Sequence, residues 1–212
     1  MSFQENCKNA VIEGDISKAE KLAQQALSDN KDVNLVIDAF SEAIRYVGDL
    51  FEEGEYFLPE LMRSAEAMKA AMTLLTPALS AGKAEERSLG KIVIGTIEGD
   101  IHDIGKTLVA SMLSAEGFEV FDLGADVPVS KFIEKAIEVD AHMICISALL
   151  TTTMTGQKRL IDQLKERNIR EKFKILIGGA PVSKNWTEEI GADGSAENAI
   201  SAVKLARKLL AK

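Results

Sequence analysis

Cysteine and histidine are scarce: two of each stand in 212 residues. Cys7 falls in an N-terminal helical pattern and Cys145 inside an apolar strand pattern, so no disulfide framework is implied and a reducing, cytoplasmic setting is expected. No apolar run approaches the ~18 residues of a membrane span. The start, MSFQENCKNAVIEGD, has no basic segment followed by an apolar one, so neither a secretory signal nor a membrane partner is expected. Basic residues are outnumbered, 25 Lys and Arg against 33 Asp and Glu, and the net charge of -8 argues against a nucleic-acid partner or an anionic membrane surface. Internal repeats and low-complexity tracts are absent too. What remains is ordinary for a soluble globular chain, 46% apolar and 27% charged, long enough for one domain or two small ones.

Hydrophobic period divides the chain. Residues 1–85 read as helices: a short segment at 3–12, then DISKAEKLAQQAL with Asp15 as N-cap, then DVNLVIDAFSEAIRYVGDLF with Asp32 as N-cap. The fourth, LPELMRSAEAMKAAMTLL, has Pro59 in its first turn, where a missing N–H costs little. A four-helix bundle domain is expected. The polar stretch 80–90, with Gly82 and Lys83, breaks the pattern and reads as a linker. From there the second domain, 86–212, alternates short apolar runs with helical stretches: KIVIGTI, 104–117; EVFDLG, 130–139; HMICISALL, 153–168; KILIGGA, 183–190; GADG, 197–211. Such alternation predicts an α/β fold, a five-stranded parallel sheet with helices on both faces, in the flavodoxin-like order 2-1-3-4-5.

Ligands of such sheets sit beyond the carboxyl ends of the strands. After the first strand comes GTIEGDIHDIGKT, which nearly spells a phosphate-binding loop. That pattern needs four residues between its first glycine and Gly-Lys-Thr; here five separate Gly99 from Gly105-Lys106-Thr107, and Glu98, Asp100 and Asp103 are acids. His102 sits between two aspartates, and a metal-binding imidazole commonly gives its second ring N–H to a carboxylate. Zinc needs three or four His, Cys or acid ligands. The other histidine, His142, opens the third strand at the opposite edge of the sheet, so a cluster cannot be assembled around His102. One protein ligand suits a metal whose remaining positions belong to a macrocycle. The third strand is followed by Ser147, Thr151 and Thr153, hydroxyls that could line a slot, and the fourth by Gly178-Gly179, where a large group could approach the backbone.

These motifs resemble the DxHxxG…SxL…GG signature of cobalamin-binding domains. Asp100-Ile101-His102-Asp103-Ile104-Gly105, Ser147-Ala148-Leu149 and Gly178-Gly179 match it in order and spacing, about 41 residues apart and then about 28. GDLFEEGEYFLPELMRSAEAMKAA is similar to the cap module that precedes this domain in cobalamin-dependent methionine synthase. The resemblance covers nearly the whole chain, and its layout looks like the stand-alone corrinoid proteins of anaerobic methyltransferase systems.

That resemblance implies the cofactor and the roles. Cobalamin or a related corrinoid is bound, methylcobalamin during turnover, with His102 as lower axial ligand of cobalt and Asp100 hydrogen-bonded to its far nitrogen. Gly99, Ile101, Asp103, Ile104 and Gly105 complete the loop, and Leu149 belongs to the second motif. The displaced nucleotide tail runs between the first and third strands, meets Ser147 and Thr151, and passes Gly178 and Gly179. Thr153 keeps a hydroxyl where relatives often have serine. Ser195 stands where relatives often carry an aromatic, a departure at the end of the tail. Phe51 and Leu58 lie over the methyl-bearing face, where apolar cover limits access to an easily oxidised cobalt(I). The implied partners are a substrate:corrinoid methyltransferase, a corrinoid:acceptor methyltransferase and a reductive activase. The donors are methylamines, methanol, betaines or methoxylated aromatics, and the acceptor is tetrahydrofolate or a thiol. A cobalamin-binding sensor is the alternative, but it would need an output domain, and neither a DNA-binding helix pair nor a basic patch is evident. A mutase subunit would need a substrate barrel, for which the chain is too short.

Overall fold

The computed structural model describes residues 2–78 and 89–211. The chain forms two compact units, Met1–Ser88 with Ser114–Gly117, and Leu89–Leu113 with Phe118–Lys212. Most of the linker expected at 80–90 lies outside the described residues.

Among the described residues up to Ala78, four α-helices form the first unit: α1 (Phe3–Ile12), α2 (Ile16–Ser28), α3 (Val33–Glu52) and α4 (Leu58–Leu75). Their starts are fixed by local chemistry. The Asp15 carboxylate accepts from the Lys18 N–H at 2.9 Å and that of Asp32 from the Asn34 N–H at 2.9 Å, so both act as N-caps. Pro59 lies in the first turn of α4. Wholly buried Ala19, Ala23 and Ala26 give α2 a narrow flank for its packing on α4, which buries Ala67, Met68 and Ala71. The Tyr56 hydroxyl donates to the Ile12 carbonyl at 3.1 Å and ties the α3–α4 turn to the end of α1. Beside it Phe51 is half-buried and Leu58 exposed. Among the described residues no helix is long and apolar enough to cross a membrane.

The second unit alternates β1 (Lys91–Thr96), α5 (Ile104–Glu116), β2 (Glu119–Asp122), α6 (Val129–Glu138), β3 (Met143–Ser147), α7 (Met154–Glu166), β4 (Lys174–Gly178), α8 (Lys184–Ile190), β5 (Gly194–Ala196) and α9 (Ala199–Leu210). All five strands are parallel, in the order β2-β1-β3-β4-β5. Central strands covered on both faces need no polar alternation, and β1 is buried from Ile92 to Thr96. One face packs Val93, Ile144, Ile146, Ile175 and Ile177 against Phe132 and Ile133 of α6 and Leu160 and Ile161 of α7. The opposite face of β5 meets Leu205 of α9 at Gly194. The strand register sets Thr96, Ser147, Gly178 and Ala196 side by side at the carboxyl edge. His142 precedes β3 at the other end, where its Nδ1 accepts from the Lys91 N–H at 3.0 Å.

Candidate functional site

The loop after β1 turns sharply. The Asp100 N–H donates to the Ile97 carbonyl at 3.1 Å, closing a turn whose third residue, Gly99, has φ +83°. A positive φ at that position belongs to a type II turn and suits glycine. The turn drives the Asp100 side chain into the protein, where it is wholly buried. Its Oδ1 accepts from the His102 N–H at 3.1 Å and lies 2.7 Å from His102 Nδ1. Its Oδ2 accepts from the N–H groups of Leu149 and Leu150 at 2.7 and 3.2 Å and from the Thr153 hydroxyl at 2.8 Å. Five donors therefore converge on one carboxylate, three of them from the segment after β3. The same contact ends β3. The Ala148 N–H still donates to Gly178, but the next two N–H groups turn to Asp100, so the apolar run HMICISALL leaves the ladder after Ser147.

Burial opposes ionisation of Asp100, yet the hydrogen bonds from the His102 ring and N–H, the Leu149 N–H and the Thr153 hydroxyl outweigh it and hold the carboxyl well below the usual carboxylate range. An ionised carboxylate only accepts, so Nδ1 of His102 carries the hydrogen and, in the neutral ring, Nε2 carries the lone pair. The His102 side chain is 49% exposed while its partner is sealed. The buried Thr96 hydroxyl donates to the His102 carbonyl at 3.0 Å and anchors the loop from below. Around the imidazole stand apolar side chains with little cover: Ile101 is 78% and Ile104 77% exposed, with Leu149 and Leu150 also exposed. Among the described residues no group of three or more His, Cys, Asp or Glu could hold a metal ion, so a metal here would have His102 as its one imidazole ligand.

Direct hydrogen bonds join Asp100, His102, Leu149 and Thr153, and strand register brings Ser147 and Gly178 to the same edge. The two glycines of KILIGGA differ in kind. A Cβ on Gly179 would lie 1.8 Å from the Ala148 carbonyl oxygen, and its φ is +126°, so the close approach of β3 and β4 requires glycine there. A Cβ on Gly178 would meet only the Ala196 carbonyl, at an ordinary contact distance of 3.9 Å, so there is room beside its bare Cα. Gly105 is likewise open on its Cβ side, and Asp103 and Thr151 are exposed. Phe51 and Leu58 belong to the first unit.

Three residues of this region take structural parts that no local pattern indicated. Lys106, which resembled a phosphate-loop lysine, is buried and spans both oxygens of Asp122 at 2.7 and 2.6 Å, locking the first turn of α5 to the end of β2. Buried Gln157 donates from Nε2 to the Ile146 and Gly178 carbonyls at 3.2 and 3.1 Å and accepts from Trp186 Nε1, fixing the end of β4. Asp126, after β2, bonds the Gly99–Asp100 peptide on both sides. The loop-length mismatch already told against the first as a phosphate ligand. The other two depend on contacts with residues 11 to 29 positions away.

Residues 90–204 match the B12 binding domain family, and residues 4–76 match a second B12 binding domain family. The chain is 49% identical to a corrinoid protein of Desulfitobacterium hafniense (strain Y51), covering 100% of this chain and 99% of that one. It is 45% identical to dimethylamine corrinoid protein 1 of Methanosarcina mazei, over 97% of this chain and 91% of that one. Among solved structures it resembles the methanol:cobalamin methyltransferase complex of Methanosarcina barkeri, with a TM-score of 0.86, 32% identity and coverage of 99% of this chain and 80% of that one.

Proposed function

The chain belongs to the B12-binding corrinoid proteins of methyltransferase systems, and from that premise we propose that it is a methyl carrier, holding cobalamin or a related corrinoid with His102 as the axial ligand. The observation that carries this reading is the Asp100–His102 pair: an exposed imidazole whose Nδ1 is tied at 2.7 Å to a buried carboxylate. The residues fit the cofactor. A corrin fills the equatorial positions of its cobalt, so one imidazole suffices, and His102 is a lone ligand of that kind. The apolar flank of Ile101, Ile104, Leu149 and Leu150 suits the broad face of a macrocycle. The bare Cα of Gly178, beside Ser147, leaves room for an extended polar tail.

A bound corrinoid would supply cobalt as the site that carries a methyl group between the substrates of two methyltransferases. The protein's own part is positioning. Asp100 holds the proton on Nδ1 and keeps Nε2 available, while Thr153, Leu149 and Leu150 keep Asp100 charged and fixed. Ser147 and Thr151 offer hydroxyls to the tail, and Gly99, Asp103 and Gly105 shape the loop. The donor is a methylamine, methanol, a betaine or a methoxylated aromatic, delivered by a substrate:corrinoid methyltransferase. The acceptor is tetrahydrofolate or a thiol, served by a second methyltransferase, and a reductive activase restores oxidised cobalt. The resemblance to dimethylamine and methanol system proteins supports the first two donors.

Reconstitution with hydroxocobalamin tests this. About one corrinoid per chain is expected, with an absorption spectrum in which the cofactor's own base is displaced. In protein grown on nitrogen-15 histidine, the cobalt(II) electron paramagnetic resonance spectrum is expected to show coupling to one nitrogen-15 nucleus. His102→Ala is expected to lose that coupling. Nitrogen-14 coupling alone in the labelled wild type would refute the ligand assignment.

A further inference from the structure

Asp126 is one of few non-glycine residues with a left-handed backbone, φ +56°. Most residues with a side chain pay roughly 1–2 kcal/mol for this conformation; aspartate and asparagine tolerate it better, though less freely than glycine. The contacts of Asp126 are specific. The Asp126 Oδ1 accepts from the Gly99 N–H at 2.8 Å, and the Asp126 N–H donates to the Asp100 carbonyl at 3.0 Å. One residue thus grips the peptide units on both sides of the turn that aims Asp100 inward. Just before this grip the backbone is zipped: the Val127 N–H donates to the Thr96 carbonyl at 3.0 Å and the Glu98 N–H to the Val127 carbonyl at 2.9 Å. At Gly99–Asp100 this zipper gives way to Asp126, which holds the segment by one side-chain and one backbone hydrogen bond.

We propose that Asp126 is a positioning residue for the axial ligand. Its clamp on Gly99–Asp100 holds the His102 loop in the ligating arrangement before any corrinoid arrives, so that binding does not have to order the loop. This rests on the reading of His102 as cobalt ligand. The chemistry at position 126 separates strain from clamp. Glycine relieves the left-handed φ but has no acceptor for the Gly99 N–H. Asparagine tolerates the same φ and keeps a carbonyl Oδ1 in place.

The test compares wild type, Asp126→Gly and Asp126→Asn, with Asp126→Ala as a second variant lacking an acceptor. Amide hydrogen exchange at Gly99 is measured without corrinoid, and hydroxocobalamin affinity and the histidine-ligated fraction are measured with it. Loss of one hydrogen bond to a charged acceptor predicts at least about tenfold faster exchange at Gly99 and about tenfold weaker binding in Asp126→Gly. The histidine-ligated fraction is expected to fall with it, although the substitution relieves strain. Asp126→Asn is expected to stay close to wild type in all three. Wild-type exchange at Gly99 in both acceptor-free variants would overturn the clamp. Faster exchange with unchanged affinity and ligation would overturn the positioning role while leaving the clamp as a structural device. Absence of histidine ligation in wild type would instead remove the reading on which the inference rests, and the apoprotein exchange data would still judge the clamp.

Discussion

Replacing Asp100 by asparagine keeps the shape of the side chain and changes only its hydrogen-bonding sense. The native carboxylate receives five donors, two on Oδ1 and three on Oδ2. An amide has one acceptor oxygen, so its Nδ2 must face one of these groups. Turned towards the segment after β3, it can use only Thr153, whose hydroxyl lies 2.9 Å from the Leu150 carbonyl and can donate there while accepting from the amide. The Leu149 and Leu150 N–H groups then point at a donor. Turned towards His102, it faces the backbone N–H, and the ring can accept only by shifting its proton to Nε2, the atom needed for a metal. Each orientation loses about two hydrogen bonds at ~1–1.5 kcal/mol apiece, so the sheet unit is expected to lose about 2–3 kcal/mol. Trp186, the single tryptophan, lies in that unit and reports its unfolding alone. With a urea m-value of ~1–3 kcal/mol/M, the unfolding midpoint should fall by about 1 M or more. Corrinoid titration of the variant is expected to show a smaller histidine-ligated fraction than wild type. A midpoint within about 0.3 M of wild type together with unchanged ligation would refute the reasoning, because it would mean that the convergence on Asp100 carries no net free energy.

Gly178→Ala and Gly179→Ala should separate binding from folding. The first is expected to unfold at nearly the wild-type urea concentration but to bind hydroxocobalamin more weakly; the second, with a Cβ 1.8 Å from the Ala148 oxygen, should lose about 3 kcal/mol or fail to fold. Equal stability of the two variants would contradict the packing account. The buried thiols set an alkaline limit: burial pushes Cys7 up to about 11 and Cys145 to about 12. Both folded values exceed the ordinary 9.0, so stability present below pH ~9 is lost as pH rises towards those values, by about 1 kcal/mol per thiol at pH ~10. Trp186-detected unfolding at pH 8 and 10 should show this loss in wild type and its reduction in Cys145→Ala, and an identical pH response in the two would count against it.

Periodicity alone determined the architecture. The capping aspartates Asp15 and Asp32, the apolar helical spacing and the strand runs bounded by glycine are local signals, and a parallel β-α alternation has few ways to close. Within the candidate site, the Asp100–His102 pair stood out in the sequence as a histidine among acids where a phosphate loop carries bare backbone, and Gly178-Gly179 as two bare residues after an apolar run. Other decisions needed the tertiary structure. Asp100 is ionised and fixed because donors 49, 50 and 53 residues away meet it, and long-range convergence leaves no mark in a local pattern. The division of labour between Gly178 and Gly179 depends on which Cα is pressed against a neighbouring backbone and which has room for a methyl group. Lys106, in a loop whose length already told against phosphate binding, is an internal anchor because Asp122 at the end of β2 reaches it. Asp126 carried no sequence signal for its part in the site, since its partner Gly99 lies 27 residues away. Short-range preferences specify elements and residue chemistry, whereas the charge state of a buried group and the aim of a loop are sums over neighbours that only the folded chain assembles.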